Sequence, residues 1–495
     1  MTVLTGIDTQ LDQRITTLAK RYRGLAMHIL REAIRIPADH LDTDPRCGLS
    51  GHEKQRLDYL FNTILALDAV ERPEDAGFDA FGNLVWTLED HTDGIPHDEK
   101  VVIMLDGHTD TVNALRDRWH EAIGGGIDPY FGFIDGTHVD REFLAKELGF
   151  LPPESEWEHL VWGRGAADQL AGVVCQIIAT KILNELRGEG ALRGVIVRAY
   201  GTVSEEDNDG GGPMYLMRDV FPTATADRIP DVVILTEGTG CAQAGPLGIY
   251  RGQRGRMQIE VEVTGRSCHG SMPWEGKNPL EYGAAIIVEA AQRYRSGDGF
   301  AQDEFLGGGT RTASWSTLAT PSDCAVPERF TFRFDRRLTA GETPDRALDD
   351  VRAMTSVADA IGDGLRVDVR TPLYTDATWN GYRLDNPQVY PGWVTPEEHP
   401  SIVAAVETFK RIAGHDSRVA RWIFSTDGVG FPTRTLDVPD SKRWVREGEY
   451  RHPAMFGIGP GYEQNTHKIG ECVDSREFDT VIAFLARFPS VFGRR

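Results

Sequence analysis

Four short apolar runs, Val101–Leu105, Val195–Val203, Val232–Leu235 and Met455–Ile458, constrain the fold of this chain more than any other feature. Each is rich in aliphatic or β-branched residues and is bounded by glycine or charge. Helical patterns such as Leu170–Leu186 lie between the first three. Strands that are apolar on both faces and alternate with helices imply a parallel sheet buried between helical layers. A further amphipathic helix is expected over 8–35, where Leu11, Ile15, Leu18, Leu25, Ile29 and Leu30 recur at helical spacing.

The middle of the chain has a different period. Arg256–Val263 alternates polar and apolar, with Met257, Ile259, Val261 and Val263 on one face of a half-exposed strand. A helix near 279–295, strands near 311–319 and 329–337, a helix near 343–356 and a strand near 365–370 complete a βαββαβ order, the ferredoxin-like split pattern. The expected architecture is an α/β domain with an open, mostly parallel sheet, built from 1–250 and 375–495, into which a ferredoxin-like lid over 251–374 is inserted. A length of 495 residues suits two cores rather than one.

Composition narrows the partners. A formal net charge of -22 opposes binding to nucleic acid or to an anionic membrane, since both need a basic surface. A small-molecule substrate is unaffected, because a local pocket can oppose the global sign. The six cysteines, Cys47, Cys175, Cys241, Cys268, Cys324 and Cys472, form no CxxC pair, as expected of a reducing compartment. No apolar signal core opens the chain, and no stretch approaches the roughly 20 apolar residues of a membrane span. A cytoplasmic location is expected.

Chemistry-bearing residues cluster immediately after the apolar runs. Open parallel sheets bind ligands in the crevice beyond the carboxyl ends of their strands. Asp106-Gly-His-Thr-Asp110 succeeds the first run, Ser204-Glu-Glu-Asp207 the second, Thr236-Glu237-Gly238 the third, and Gly459-Pro-Gly461 with His467 the fourth. Asp168 sits in Gly163-Arg-Gly-Ala-Ala-Asp168, just before the helix at 170. Singly, each has a bland reading: a satisfied polar residue, a helix cap or a solvated surface. Together they bring His108, Asp168, Glu206, Glu237 and His467 to one crevice. Imidazoles mixed with carboxylates suit zinc or a similar divalent ion, with manganese and cobalt as alternatives. Bound cations also remove the repulsion of crowded carboxylates. Five ligands exceed the three protein ligands usual for a single catalytic zinc. Two ions about 4 Å apart would share a bridging carboxylate, and Asp168 is the natural bridge because it falls between the others in the chain. Of the neighbours Glu205 and Glu206, one can bind metal while the other acts as general base. Asp110 is placed to hold the His108 imidazole through its second nitrogen.

These motifs, in this order, resemble the acetylornithine deacetylase, aminoacylase and dipeptidase family, whose members are dinuclear zinc hydrolases of amide bonds. Tyr250-Arg-Gly-Gln-Arg-Gly-Arg-Met257, Ser267-Cys-His-Gly-Ser271, Phe305-Leu-Gly-Gly-Gly309 and Asp335-Arg-Arg-Leu-Thr-Ala-Gly-Glu-Thr343 look like its YgeY-type branch. The resemblance implies that His108 and Glu237 bind one ion, Glu206 and His467 the other, and Asp168 both. It implies Glu205 as general base, Asp110 as the residue orienting His108, and His269 as a lid histidine that reaches the partner subunit's site and stabilises the oxyanion. Arg337, with Arg336 as a competing choice, and the Gly459-Pro-Gly461 turn correspond to substrate-binding positions.

Three departures from the family pattern flank the expected crevice: an acidic, Gly-rich and aromatic insertion over 116–161, Asp168-Gln-Leu in place of Asp-Met-Lys, and a further insertion over 434–453. The expected function is hydrolysis of a small-molecule amide or other C–N bond. Glu205 would take a proton from water bridging the ions, in a homodimer paired through the lid. The aromatic insertion keeps open hydrolytic deamination of an aryl amine. A non-catalytic metal-binding protein on the same scaffold is the remaining alternative.

Overall fold

The computed structural model describes residues 6–38, 53–123, 130, 140–149, 151, 153–225, 229–434 and 443–493. Cys47 and parts of the insertions at 116–161 and 434–453 lie outside them. In chain order the elements that matter here are α1 (Gly6–Ile34), β1 (Ala76–Phe78), β2 (Leu84–Glu89), β3 (Val101–His108), α2 (Ala171–Glu185), β4 (Val195–Thr202), β5 (Val232–Leu235), β6 (Ile249–Gln253) and β7 (Gly255–Thr264). They continue with α3 (Pro279–Ser296), β8 (Thr310–Ala319), β9 (Arg329–Leu338), α4 (Pro344–Arg352), α5 (Thr355–Gly362), β10 (Arg366–Arg370), β11 (Val389–Tyr390), β12 (Trp393–Val394), α6 (Pro400–Ala413), β13 (Val419–Trp422), β14 (Ala454–Gly457) and α7 (Glu477–Phe492).

The large sheet has the order β1-β2-β4-β3-β5-β14-β6-β12, with β13 pairing β6. The four apolar runs become its centre, β4-β3-β5-β14, and these strands are mutually parallel. Antiparallel neighbours extend the sheet at β2 and β6. Every residue of β3 is buried, which is why its sequence shows no polar alternation. Helices α1, α2 and α7 pack on one another, and α2 also contacts the sheet. The segment Ala166–Glu185 is long and apolar enough to cross a membrane, yet 94% of it is buried inside this fold. It is a core helix enclosed on all sides.

The second sheet has the order β8-β9-β7-β10, with β11 joining β7, and all its pairings are antiparallel. Met257, Ile259, Val261 and Val263 are fully buried on one face, against Ile286 and Ala290 of α3 and Val351 and Val357 of α4 and α5. This is the expected βαββαβ order with two differences, the first being that β11 joins the sheet from beyond residue 374. The helix expected over 343–356 is broken into α4 and α5, because Met354 leaves the helix at ψ 142 and buries its side chain completely.

The approach of α2 to the sheet depends on Gly172. A Cβ there would stand 2.1 Å from the carbonyl oxygen of Thr236, just past the end of β5. Gly172→Ala should therefore force the helix away from the strand that carries Glu237, costing about 1–3 kcal/mol in a denaturant melt. A variant melting like the native chain would show that the helix does not press on the strand.

Candidate metal centre

The carboxyl end of β3 delivers His108, which is 1% exposed. Its Nε2 lies 2.9 Å from Asp168 Oδ1, 3.7 Å from Glu237 Oε2 and 3.9 Å from Glu205 Oε2. Its Nδ1 faces the backbone carbonyl of Asp110 at 3.1 Å, with the Asp110 carboxylate at 3.5 Å. That carboxylate is itself occupied: it accepts from the backbone N–H groups of Glu205 (3.1 Å) and Glu206 (3.0 Å). Asp110 thus joins the end of β3 to the short helix Glu205–Asn208. Ser204, at φ 59, makes the sharp turn between β4 and that helix.

Asp168 sits in an irregular turn over Ala166–Leu170, before α2, and its peptide bond to Gln169 is cis. The turn is held from behind by Glu471, which is fully buried. Glu471 accepts from the backbone N–H groups of Ala167 (2.9 Å) and Asp168 (3.1 Å) and pairs with Arg164 Nη1 at 2.7 Å. Gln169, one of the departures from the family pattern, donates to Glu237 Oε2 at 2.6 Å. His467, at φ 61, has its side chain 53% exposed; its Nε2 lies 3.2 Å from Asp168 Oδ2 and 3.1 Å from Glu206 Oε2. The loop that carries it rests on a small core of Trp119, Leu144, Trp157, Trp162, Ile469 and Cys472. The 116–161 insertion therefore supplies packing under the last of the five residues.

Two overlapping donor sets result: His108, Asp168 and Glu237, and Asp168, Glu206 and His467. In each set the ligand atoms lie within 4.8 Å of one another. A third set, His108 with Glu205 and Glu206, meets the same limit. Asp168 turns a different oxygen to each imidazole. Burial, with the repulsion of neighbouring carboxylates, pushes Glu205 and Glu237 well above the usual carboxylate range. Burial opposes charge on His467, yet Glu206 and Asp168 outweigh it and hold the imidazole up to about 11. Burial would raise Asp168 as well, but hydrogen bonds from His108 and His467 bring it below its ordinary value. The same carboxylates raise His108 as well, and a divalent cation among these groups would compensate the acids in place of the imidazole protons. Neutral imidazoles and carboxylates converging from separate strand ends fit a divalent ion.

The residues named from sequence do not all meet here. Asp168, Glu206, Glu237 and His467 line one cavity of 290 Å³ with Glu205 and Arg337, together with Asp209, Arg256, Phe424, Ser425 and Thr466. His108 is buried beneath this lining and reaches it through Asp168. Arg336 is buried in the lid instead, paired with Glu342 at 2.7 Å and set over the Phe300 ring. Gly459 and Gly461 lie behind Glu237 rather than in the cavity. A Cβ on Gly459 would meet the Thr236 and Glu237 carbonyl oxygens at 2.0 and 2.4 Å, and the Gly461 N–H donates to Glu477 at 2.8 Å. His269 is exposed on the lid, paired with Ala325, and does not line this cavity. Sequence reasoning missed the carboxylates behind the ligands. Asp106 has both oxygens buried without a hydrogen-bond partner, and Asp427, bonded by Thr202 at 2.6 Å, is pushed by burial up to about 7. The position of Asp106, two residues before His108, is a signal that could have found it. Asp427 and Glu471 stand in stretches with no pattern to mark them.

Two outcomes are expected. Glu471→Gln should weaken zinc binding roughly 10–100-fold in a chelator competition, because the turn that aims Asp168 loses its anchor; unchanged affinity would show that the turn holds itself. Zinc loading of the metal-free chain near neutral pH should release protons, read in weak buffer, since the raised imidazoles and Glu237 must deprotonate to ligate. Affinity should accordingly rise with pH. Binding without proton release would contradict the raised imidazoles.

Residues 251–362 match the M20 peptidase dimerisation domain. The chain is 29% identical over 472 residues to the uncharacterized protein YgeY of Escherichia coli strain K12, covering 95% of both. It is 25% identical to the succinyl-diaminopimelate desuccinylase of Leptothrix cholodnii, over 51% of this chain and 56% of that one. Its fold is similar to the M20 family metallo-carboxypeptidase Sso-CP2 of Sulfolobus solfataricus, with a TM-score of 0.62 at 14% identity over 95% of this chain and 99% of that one. The chain thus carries an M20-type dimerisation domain, is similar over nearly its whole length to YgeY, and shares the fold of M20 metallopeptidases.

Proposed function

We propose that this chain hydrolyses an amide C–N bond of a small molecule with two divalent ions, zinc in the first instance and manganese or cobalt as alternatives. The observation that carries this reading is the position of Asp168, with one oxygen toward His108 and the other toward His467. His108, Glu237 and Asp168 would hold one ion, and Glu206, His467 and Asp168 the other. When bound, the ions would polarise the scissile carbonyl and make water a stronger nucleophile.

The chain's own residues do the rest. Glu205 is buried beside the cluster, and burial favours its protonated form. Cations held beside it would favour its ionised form; that carboxylate can accept a proton from the attacking water, and its raised proton affinity keeps the proton until it is returned to the leaving nitrogen. The water oxygen bonds to the carbonyl carbon, the C–N bond breaks, and the products are a carboxylic acid and an amine. His269 has its Nδ1 engaged by the Ser271 N–H at 3.1 Å, which leaves its proton on Nε2. In a homodimer joined through the lid, that N–H would be a donor for the oxyanion of the opposite site. The free state of the five described cysteines fits a reducing, cytoplasmic setting.

The amide reading draws on the desuccinylase and metallo-carboxypeptidase likenesses, since both names denote amide hydrolysis. The aryl amine alternative rests on the aromatic insertion. Its described tryptophans, Trp119 and Trp157, are buried under the His467 loop, so they lend that alternative nothing. Glu205→Gln should keep its metal content and lose about 10²–10⁴-fold in turnover, measured on a panel of N-acyl amino acids and dipeptides. Full turnover in that variant would remove Glu205 from its role. Ammonia released from an arylamine without a carboxylic acid product would overturn the amide reading.

A further inference from the structure

Beside the ligand cluster, the same cavity carries a second polar group that no ion requires. Arg256 of β7 and Arg337 of β9 are direct cross-strand partners in the lid, an arrangement in which like charges repel. Arg256 pairs with Asp209 of the larger domain and lies 3.4 Å from Asp335 Oδ2. Arg337 reaches Asp335 through Nε at 2.8 Å and Nη2 at 3.2 Å, and donates to Ser425 Oγ at 2.9 Å. Ser425 Oγ in turn donates to Asp209 Oδ1 at 3.3 Å. The ring is closed and its charges cancel, two guanidiniums against two carboxylates. It spans both domains, because Asp209 and Ser425 come from outside the lid.

We propose that Asp209 is a specificity-determining residue, which keeps this part of the cavity electrically balanced and so selects amides that carry a neutral hydrogen-bonding group there over those with a free carboxylate. The proposal rests on the amide-hydrolase reading above. An incoming carboxylate would have to displace Asp209 or Asp335, exchanging one ion pair for another with no net gain. A carboxamide or hydroxyl can bond to the ring's oxygens and N–H groups without breaking it. Asp209 is also held at φ 43 and ψ -114, a positive-φ conformation in which asparagine is the uncharged substitution closest in shape. Asp209→Asn therefore removes the charge while preserving the backbone.

The rival explanation is that the ring only latches the lid and offsets the repulsion between the arginines. Selectivity separates the two, because a latch has no preference between ligands. The test is calorimetric titration of the zinc-loaded full chain with N-acetylleucine and N-acetylleucinamide. The native chain should bind the carboxamide at least as tightly as the acid. Asp209→Asn, checked by circular dichroism to be folded, should gain about tenfold for the acid with the carboxamide unchanged. Adding Arg256→Gln should abolish the gain, which excludes direct binding of the acid to zinc as its source. A folded Asp209→Asn variant with the native affinity ratio, or with no binding of the acid, overturns the proposal, as does a native preference for the acid. Binding needs no turnover, so failure here is distinguishable from failure of the amide reading, which the product assay decides.

Discussion

A buried carboxylate with an imidazole on each of its oxygens is the interaction on which the site depends. Asp168 can occupy that position only because its turn is pinned from behind by Glu471 and Arg164. Breaking a buried pair of that kind leaves an uncompensated charge. The turn is in turn pressed against the sheet through α2, whose Gly172 admits a backbone contact with Thr236. Packing of the core helix and aim of the Asp168 carboxylate are thus mechanically linked. Gln169 adds a direct bond from the same turn to Glu237, so this turn orients a second acid of the cluster.

Negative charge is the recurring constraint. Asp106 and Asp427 lie buried behind His108 and Thr202, and Glu205 and Glu237 share the cavity with Asp168 and Glu206. Such crowding is costly without cations. The lid contributes the opposite sign through Arg256 and Arg337, but Asp209 and Asp335 already match it. The positive charge needed by the ligand cluster therefore has to come from imidazolium protons or from metal ions, and not from the arginines nearby.

Much of the fold was legible because burial writes periodicity into sequence. Runs without alternation marked the central parallel strands, and the alternation of Met257, Ile259, Val261 and Val263 marked the lid. The break between α4 and α5 was not legible, since nothing local distinguishes Met354 from a residue inside a helix. Asp110 illustrates the limit at the site. Its place beside His108 was clear from spacing, but both of its carboxylate oxygens accept from the backbone of Glu205 and Glu206, far along the chain. Glu471 and Asp427 carried no signal at all, because their partners are distant in the chain.

The sequence by itself determined that acids and histidines would gather at the carboxyl edge of one sheet. Strand direction follows from apolar pattern and connection length, and strand ends follow from direction. Only the tertiary structure decided which residues share an oxygen, which lie behind the cavity and which carry the lid's charge into it. Arg336 and Arg337 are adjacent in sequence, yet one is buried against Glu342 while the other lines the cavity, because neighbours on a strand face opposite sides of the sheet. His269 was placed on the lid and away from this cavity for a related reason. Its distance from the cavity is set by the packing of the lid on the larger domain, which local spacing does not specify.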